Sequence, residues 1–163
     1  MGKTTWITIV KLVVSILVCQ LAGFIGSLFT TPNIATWYAG IQKPAFNPPN
    51  WIFGPVWITL YVMMGIAAFL IWNKGWNVVG VKMALAIFLV QLILNSFWSI
   101  AFFGMHSPLT GFVVIVILWV AILVTMFSFF KMSTVAGWLL VPYILWVSFA
   151  TVLNWSILIL NKR

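Results

Sequence analysis

Eight basic residues punctuate an otherwise uncharged chain: Lys3, Lys11, Lys43, Lys74, Lys82, Lys131, Lys162 and Arg163. Between them lie charge-free stretches at 12–42, 44–73, 83–130 and 132–161. A helix that crosses the hydrocarbon core of a bilayer needs about 20 mostly apolar residues. The four stretches therefore hold one, one, two and one crossings, the third being divided by the turn sequence Gly104-Met105-His106-Ser107-Pro108. The pattern predicts helices over about 6–29, 50–72, 83–103, 109–130 and 134–160, in a single membrane domain covering 1–163. Thr31-Pro32-Asn33 ends the first helix, Asn73-Lys74-Gly75 ends the second, and Ser133 is placed as N-cap of the fifth. Pro142 removes the donor for the Trp138 carbonyl and predicts a bend in that last helix.

Residues 37–61, WYAGIQKPAFNPPNWIFGPVWITLY, are the densest in punctuation. Proline fixes φ and pushes the preceding residue out of the helical region, so Lys43-Pro44 and Pro48-Pro49 shape a structured Pro-rich loop over 30–49. The Pro48-Pro49 pair also suits a helix start, where a missing N–H goes unnoticed. The fold class expected is an all-α integral membrane protein, a five-transmembrane-helix bundle with a lid between helices 1 and 2.

Composition narrows the chemistry. The chain is 64% hydrophobic and 5% charged, with no Asp or Glu and a formal charge of +8. Without carboxylates there are no paired-carboxylate catalysts, no oxygen-rich metal sites and no acidic proton relay, and no classical catalytic constellation or metal site is expected. Basic residues scattered at span ends suit anionic lipid headgroups, not nucleic acid. The lone Cys19 allows no intrachain disulfide. The apolar run after Lys11 is longer than a signal-peptide core and ends in no small-residue cleavage motif, so 1–29 is read as a mature first helix. Lys3, Lys11, Lys74, Lys82 and Lys131 gather at the N-terminal side against Lys43, Lys162 and Arg163 on the lid side. That excess places the N-terminus in the cytoplasm of a bacterial cell, with a mitochondrial outer membrane as the eukaryotic alternative.

Helix direction then brings certain side chains to one depth. Phe53, Trp57 and Tyr61 lie in the lid-side half of helix 2, with the last two sharing a face. Gln91, Asn95 and Trp98 share a face of helix 3, and Trp146, Ala150 and Asn154 one of helix 5. Ser27 and Thr30 reach the same depth from helix 1. Amides are costly in hydrocarbon unless partnered, so Gln91, Asn95 and Asn154 must face the interior. They serve either as interhelical glue or as fixed polar groups of an aromatic-walled cavity. Trp6, Trp37, Trp51, Trp72 and Trp76 read as an interfacial belt. His106 reads as a solvated turn residue. Small-residue pairs Ala22/Gly26 and Gly80/Ala84 offer two faces for close helix approach or for a dimer.

The blocks WYAGIQKPAFNPPNW and PVWITLY (37–61), QLILNSFW (91–98) and WLLVPYILWVSFATVLNW (138–155) resemble the translocator protein family, also called tryptophan-rich sensory proteins or peripheral benzodiazepine receptors. The resemblance implies a five-helix bundle, commonly a homodimer, that binds protoporphyrin IX, haem and other lipophilic small molecules such as sterols and drug-like compounds. It implies ligand contacts at Ser27, Phe53, Gly54, Trp57, Asn95, Trp98, Trp146, Ala150 and Leu153. It further implies light-dependent porphyrin degradation in which Trp57 and Trp146 take part. No obligatory cofactor follows from it; the porphyrin or haem is a ligand. Lys43 is placed toward ligand propionates, and Thr30, Tyr61 and Asn154 complete the expected site. Two departures stand out. No Lys or Arg follows Tyr143 closely enough for the proposed cholesterol motif, and the acidic loop residues usual in the family are missing. Facilitated transport of porphyrin or sterol-like molecules, and a purely structural or regulatory partner role, are the alternative functions.

Overall fold

A computed structural model describes residues 3–162; Arg163 and the Lys3 side chain, both used above for orientation, lie outside the described residues. The helices are α1 (Lys3–Ile34), α2 (Trp37–Gly40), α3 (Asn50–Trp72), α4 (Val81–Ser99), α5 (Pro108–Met132), α6 (Thr134–Leu139) and α7 (Val141–Leu160), and no strand occurs among the described residues. Five stretches are long and apolar enough to cross a membrane: Thr5–Ile34, Asn50–Trp72, Val81–Gly104, Pro108–Met132 and Thr134–Leu160. The protein is an all-α integral membrane protein.

The five crossings close into a ring. α1 packs between α3 and α4, α5 packs between α4 and α7, and α6 returns against α3. Small residues set the tightest approaches. A Cβ added to Gly65 of α3 would lie 2.6 Å from the Cα of Ile16, and one on Gly26 would lie 2.9 Å from Ser99 Oγ. Ser96 Oγ also donates to the Ala22 carbonyl at 2.9 Å. The Ala22/Gly26 face is thus consumed by α4 inside one chain. Ala84 is buried too, whereas Gly80 is an exposed left-handed residue (φ 91°) preceding α4 with open space around it.

Boundaries differ from the sequence pattern in three places. α1 continues to Ile34 instead of stopping near Phe29, because Pro32 in its last turn costs only one intrahelical bond. Polar side chains there hold the carbonyls: Thr30 Oγ1 on Gly26 O (3.1 Å), Asn33 Nδ2 on Phe29 O (2.8 Å) and Thr36 Oγ1 on Pro32 O (3.0 Å). The third crossing ends in a π-helical turn, Ile100–Gly104, sealed by Met105 N–H on Ile100 O at 2.8 Å. The last crossing is interrupted at Leu140, where the helix restarts with Pro142 in its first turn. The predicted Ser133 cap forms, its Oγ accepting from Ala136 N–H, and Ser107 caps α5 in the same way by accepting from Thr110 N–H.

Candidate functional site

The lid-side half of the ring encloses a cavity of about 630 Å³ between α1, α2, α3 and α4. Ser27, Thr30, Phe53, Gly54, Trp57, Tyr61, Asn95 and Trp98 line it, as do Gln20, Phe24 and Tyr38. Trp57 and Tyr61, one turn apart, stack with ring centroids 5.5 Å apart. Trp146, Ala150, Leu153 and Asn154 do not reach this cavity. They line a neighbouring void of about 30 Å³, behind a wall of Tyr38, Phe53, Trp57 and Trp98 that the two spaces share. Phe53 meets the Trp146 ring edge-on at 5.9 Å and separates it from the larger space.

Beneath the cavity the amides are organised into a buried chain. Tyr61 O–H donates to Asn95 Oδ1, Asn95 Nδ2 donates to Tyr143 O–H at 2.9 Å, and Tyr143 donates onward to Gln91 Oε1 at 2.9 Å. Four residues on three helices thereby share one directional network, and every hydroxyl proton in it is spoken for. Gln91 Nε2 is left buried with no partner, as is Trp146 Nε1. The two readings of the amides are therefore divided between residues. Asn95 both lines the cavity and ties helices together, whereas Gln91 lines neither space. Asn154 accepts from Trp98 Nε1 (3.2 Å) and donates to the Pro108 carbonyl (2.9 Å), which fixes the angle of the Trp98 indole.

The lid is bonded rather than loose. Asn161, at the end of α7, accepts from Gln42 N–H at 3.0 Å and donates to the Gln42 carbonyl at 2.9 Å. Tyr38 O–H donates to Asn47 Oδ1 at 2.7 Å, and burial pushes its phenol up to about 12 against the opposing pull of Asn47, so it stays a donor at physiological pH. Lys43 lines neither cavity. Its ammonium donates to the carbonyls of Tyr38 (2.6 Å), Ala39 (3.4 Å) and Ile41 (2.9 Å), satisfying the open end of α2 and lying over the Tyr38 ring. Lys43→Met is accordingly expected to make the 35–49 segment several-fold more sensitive to limited proteolysis while the five crossings stay intact, read by gel after brief digestion.

Trp37 is a lid anchor instead of a belt residue: it packs on Phe102 and Phe103 and stacks on His106 at 5.1 Å. Trp51 stands at the cavity mouth. His106 is exposed, as a turn residue should be, but it is partnered. Asn33 uses its amide N–H on Phe29, so its Oδ1 must accept from His106 Nε2 at 2.7 Å. Sequence reasoning missed Tyr38, Phe102 and Tyr143. Phe102 is turned inward by the π-helical turn, which shifts the register of side chains after Ser99. Tyr143 was legible, since it stands one turn before Val147 and two before Ala150 on the face that also carries Asn154.

A polytopic α-helical membrane protein with an aromatic-walled internal cavity is the class these features define. The chain belongs to the TspO/MBR family, whose profile matches residues 15–160. It is 48% identical to the tryptophan-rich protein TspO of Chlorobaculum tepidum over 154 residues, covering 94% of this chain and 97% of that one. A protein of the same name from Archaeoglobus fulgidus is 47% identical over 154 residues (94% and 98%). The human translocator protein is 36% identical over 139 residues (85% and 82%).

Proposed function

We propose that this protein is a membrane receptor or sensor that binds tetrapyrroles, such as protoporphyrin IX and haem, and other lipophilic small molecules in the cavity beside α1, α3 and α4. The observation that carries the reading is the cavity itself. Its 630 Å³ falls within the roughly 300–1,000 Å³ of small-molecule pockets, and its walls join flat aromatic surfaces to a few fixed polar groups. Trp57, Phe53 and Trp98 offer ring faces and edges to a planar macrocycle. The absence of Asp and Glu from the chain leaves no anionic group to repel propionates.

The test is saturable quenching of tryptophan emission by protoporphyrin IX in detergent. A Cβ at Gly54 would meet nothing within 4 Å, so Gly54→Leu fills the cavity without straining the helix. Binding is expected to weaken at least about tenfold in that variant, about 1.4 kcal/mol. Linear quenching that ignores the substitution would overturn the reading. Under illumination, the proposed degradation runs through oxygen species generated by the bound porphyrin, with Trp57 and Trp146 as electron or radical partners. Trp57 lines both spaces and Trp146 only the smaller one, so Trp57→Phe should suppress bleaching more strongly.

Facilitated passage of the same molecules is the second reading, favoured by the side opening described below and by the word translocator in the human relative's name. Uptake into proteoliposomes faster than into empty vesicles separates passage from binding. The pole carrying Lys11, Lys74, Lys82 and Lys131 is proposed to face the cytoplasm of a bacterial cell. A homodimer is also proposed, on a surface other than the Ala22/Gly26 face that α4 occupies inside the chain.

A further inference from the structure

The cavity has a lid above it and an opening beside it, and the two are built very differently. On α1, Phe24, Ser27 and Thr31 recur at helical spacing along one stripe of the lining; on α3, Trp51, Gly54 and Ile58 do the same. These lining residues are also surface residues: Phe24 and Ile58 are each 59% exposed and Trp51 74%. A side chain that both lines a cavity and faces outward marks an opening, here between two membrane-length helices and therefore toward lipid. Further from the lid the same helices are pressed together, Gly65 against Ile16. At the corner where they part, Gln20 Nε2 donates to the Ile58 carbonyl at 3.1 Å.

The lid, by contrast, is fastened at several points. The Asn161–Gln42 pair, the Lys43 ammonium and the Tyr38–Asn47 bond would all have to yield for a ligand to pass it. Between α1 and α3 the side opening is crossed by the Gln20 bond, and the outer face of α1, from Trp6 to Leu28, is lined with exposed apolar side chains.

We propose that ligands reach the cavity sideways out of the bilayer, through the opening between α1 and α3, with Gln20 as its latch. This rests on the receptor reading above and adds to it the ligand's source and chemical class. The ligand is a molecule already dissolved in the membrane: flat, largely apolar, and exchanging with lipid instead of with water. Gln20 acts by positioning α1 against α3, so its removal changes how fast the cavity fills and empties more than how tightly it holds.

The experiment is stopped-flow quenching of protein reconstituted in phosphatidylcholine vesicles, mixed with vesicles preloaded with protoporphyrin IX. Gln20→Leu is expected to raise the loading and release rates together by about fivefold, the effect of losing one hydrogen bond of about 1 kcal/mol. Ile58→Trp, which narrows the opening from the lipid side, should slow both rates. Asn161→Leu, which unfastens the lid, should leave both rates as they are. Faster exchange in Asn161→Leu, with Gln20→Leu and Ile58→Trp unaltered, would overturn the lateral route while leaving the receptor reading standing. Quenching that never saturates in the unsubstituted protein would instead remove the receptor reading, and the route with it.

Discussion

Gly65→Ala is expected to destabilise the bundle by about 2 kcal/mol, while Gly54→Ala in the same helix stabilises it slightly. Alanine is the better helix former by about 1 kcal/mol, so on propensity alone both substitutions should help. Space decides the sign. At Gly65 the new methyl would lie 2.6 Å from Ile16 Cα and 3.0 Å from its backbone nitrogen, and a backbone cannot rotate aside. Relief requires moving α1 off α3, and overpacking of this kind costs about 1–3 kcal/mol. At Gly54 nothing lies within 4 Å, because the position faces the cavity mouth. Unfolding by titration with a denaturing detergent, followed by circular dichroism, measures both. Equal shifts of one sign in the two variants would contradict the α1–α3 contact, and with it the place where the side opening ends.

That contrast also marks how far the sequence can be read. Both glycines sit in one apolar helix and nothing local distinguishes them; the difference is a neighbour 49 positions earlier in the chain. What was legible followed from period and cost. Gln91, Asn95 and Trp98 at i, i+4 and i+7 had to share a face, and amides in hydrocarbon had to turn that face inward; the buried Tyr61–Asn95–Tyr143–Gln91 chain is the result. Helix direction likewise brings Ser27, Phe53, Trp57 and Asn95 to one depth, where all four line the cavity. What was not legible depended on register and reach. A π-helical turn inserts one residue without any residue type that announces it, so Phe102 and Phe103 were not placed against Tyr38 and Trp37. The partition of the pocket also escaped, since whether Phe53 screens Trp146 from the larger cavity is a matter of one side-chain rotamer. Lys43 was placed by its charge toward a ligand anion, but the open carbonyls of a four-residue helix nearby compete for it and hold it.

Asn95→Leu is expected to cost about 2 kcal/mol, and Gln91→Leu less than half of that, although Gln91 is the more deeply buried of the two. Asn95 is the middle of the chain: without it Tyr61 loses its acceptor and Tyr143 its donor. Hydrogen bonds between membrane helices average only about 0.6 kcal/mol and reach about 1.7, so two of them give somewhat over 1 kcal/mol. Stranding the buried Tyr61 hydroxyl adds part of the roughly 1–3 kcal/mol for an unsatisfied polar group. Gln91 is an end of the chain. Leucine there removes one bond from Tyr143, but it also removes an amide nitrogen that already has no partner, and the two effects oppose each other. Tyr61→Phe combined with Asn95→Leu should cost clearly less than the sum of the two single changes, because the second substitution breaks a bond already lost. Strict additivity in that cycle, or a Gln91 effect as large as that of Asn95, would show that the hydroxyls and amides act as separate contacts. A coupled result means that Tyr61 and Asn95 act as one unit in the polar floor of the cavity, with Tyr143 bonded directly behind them.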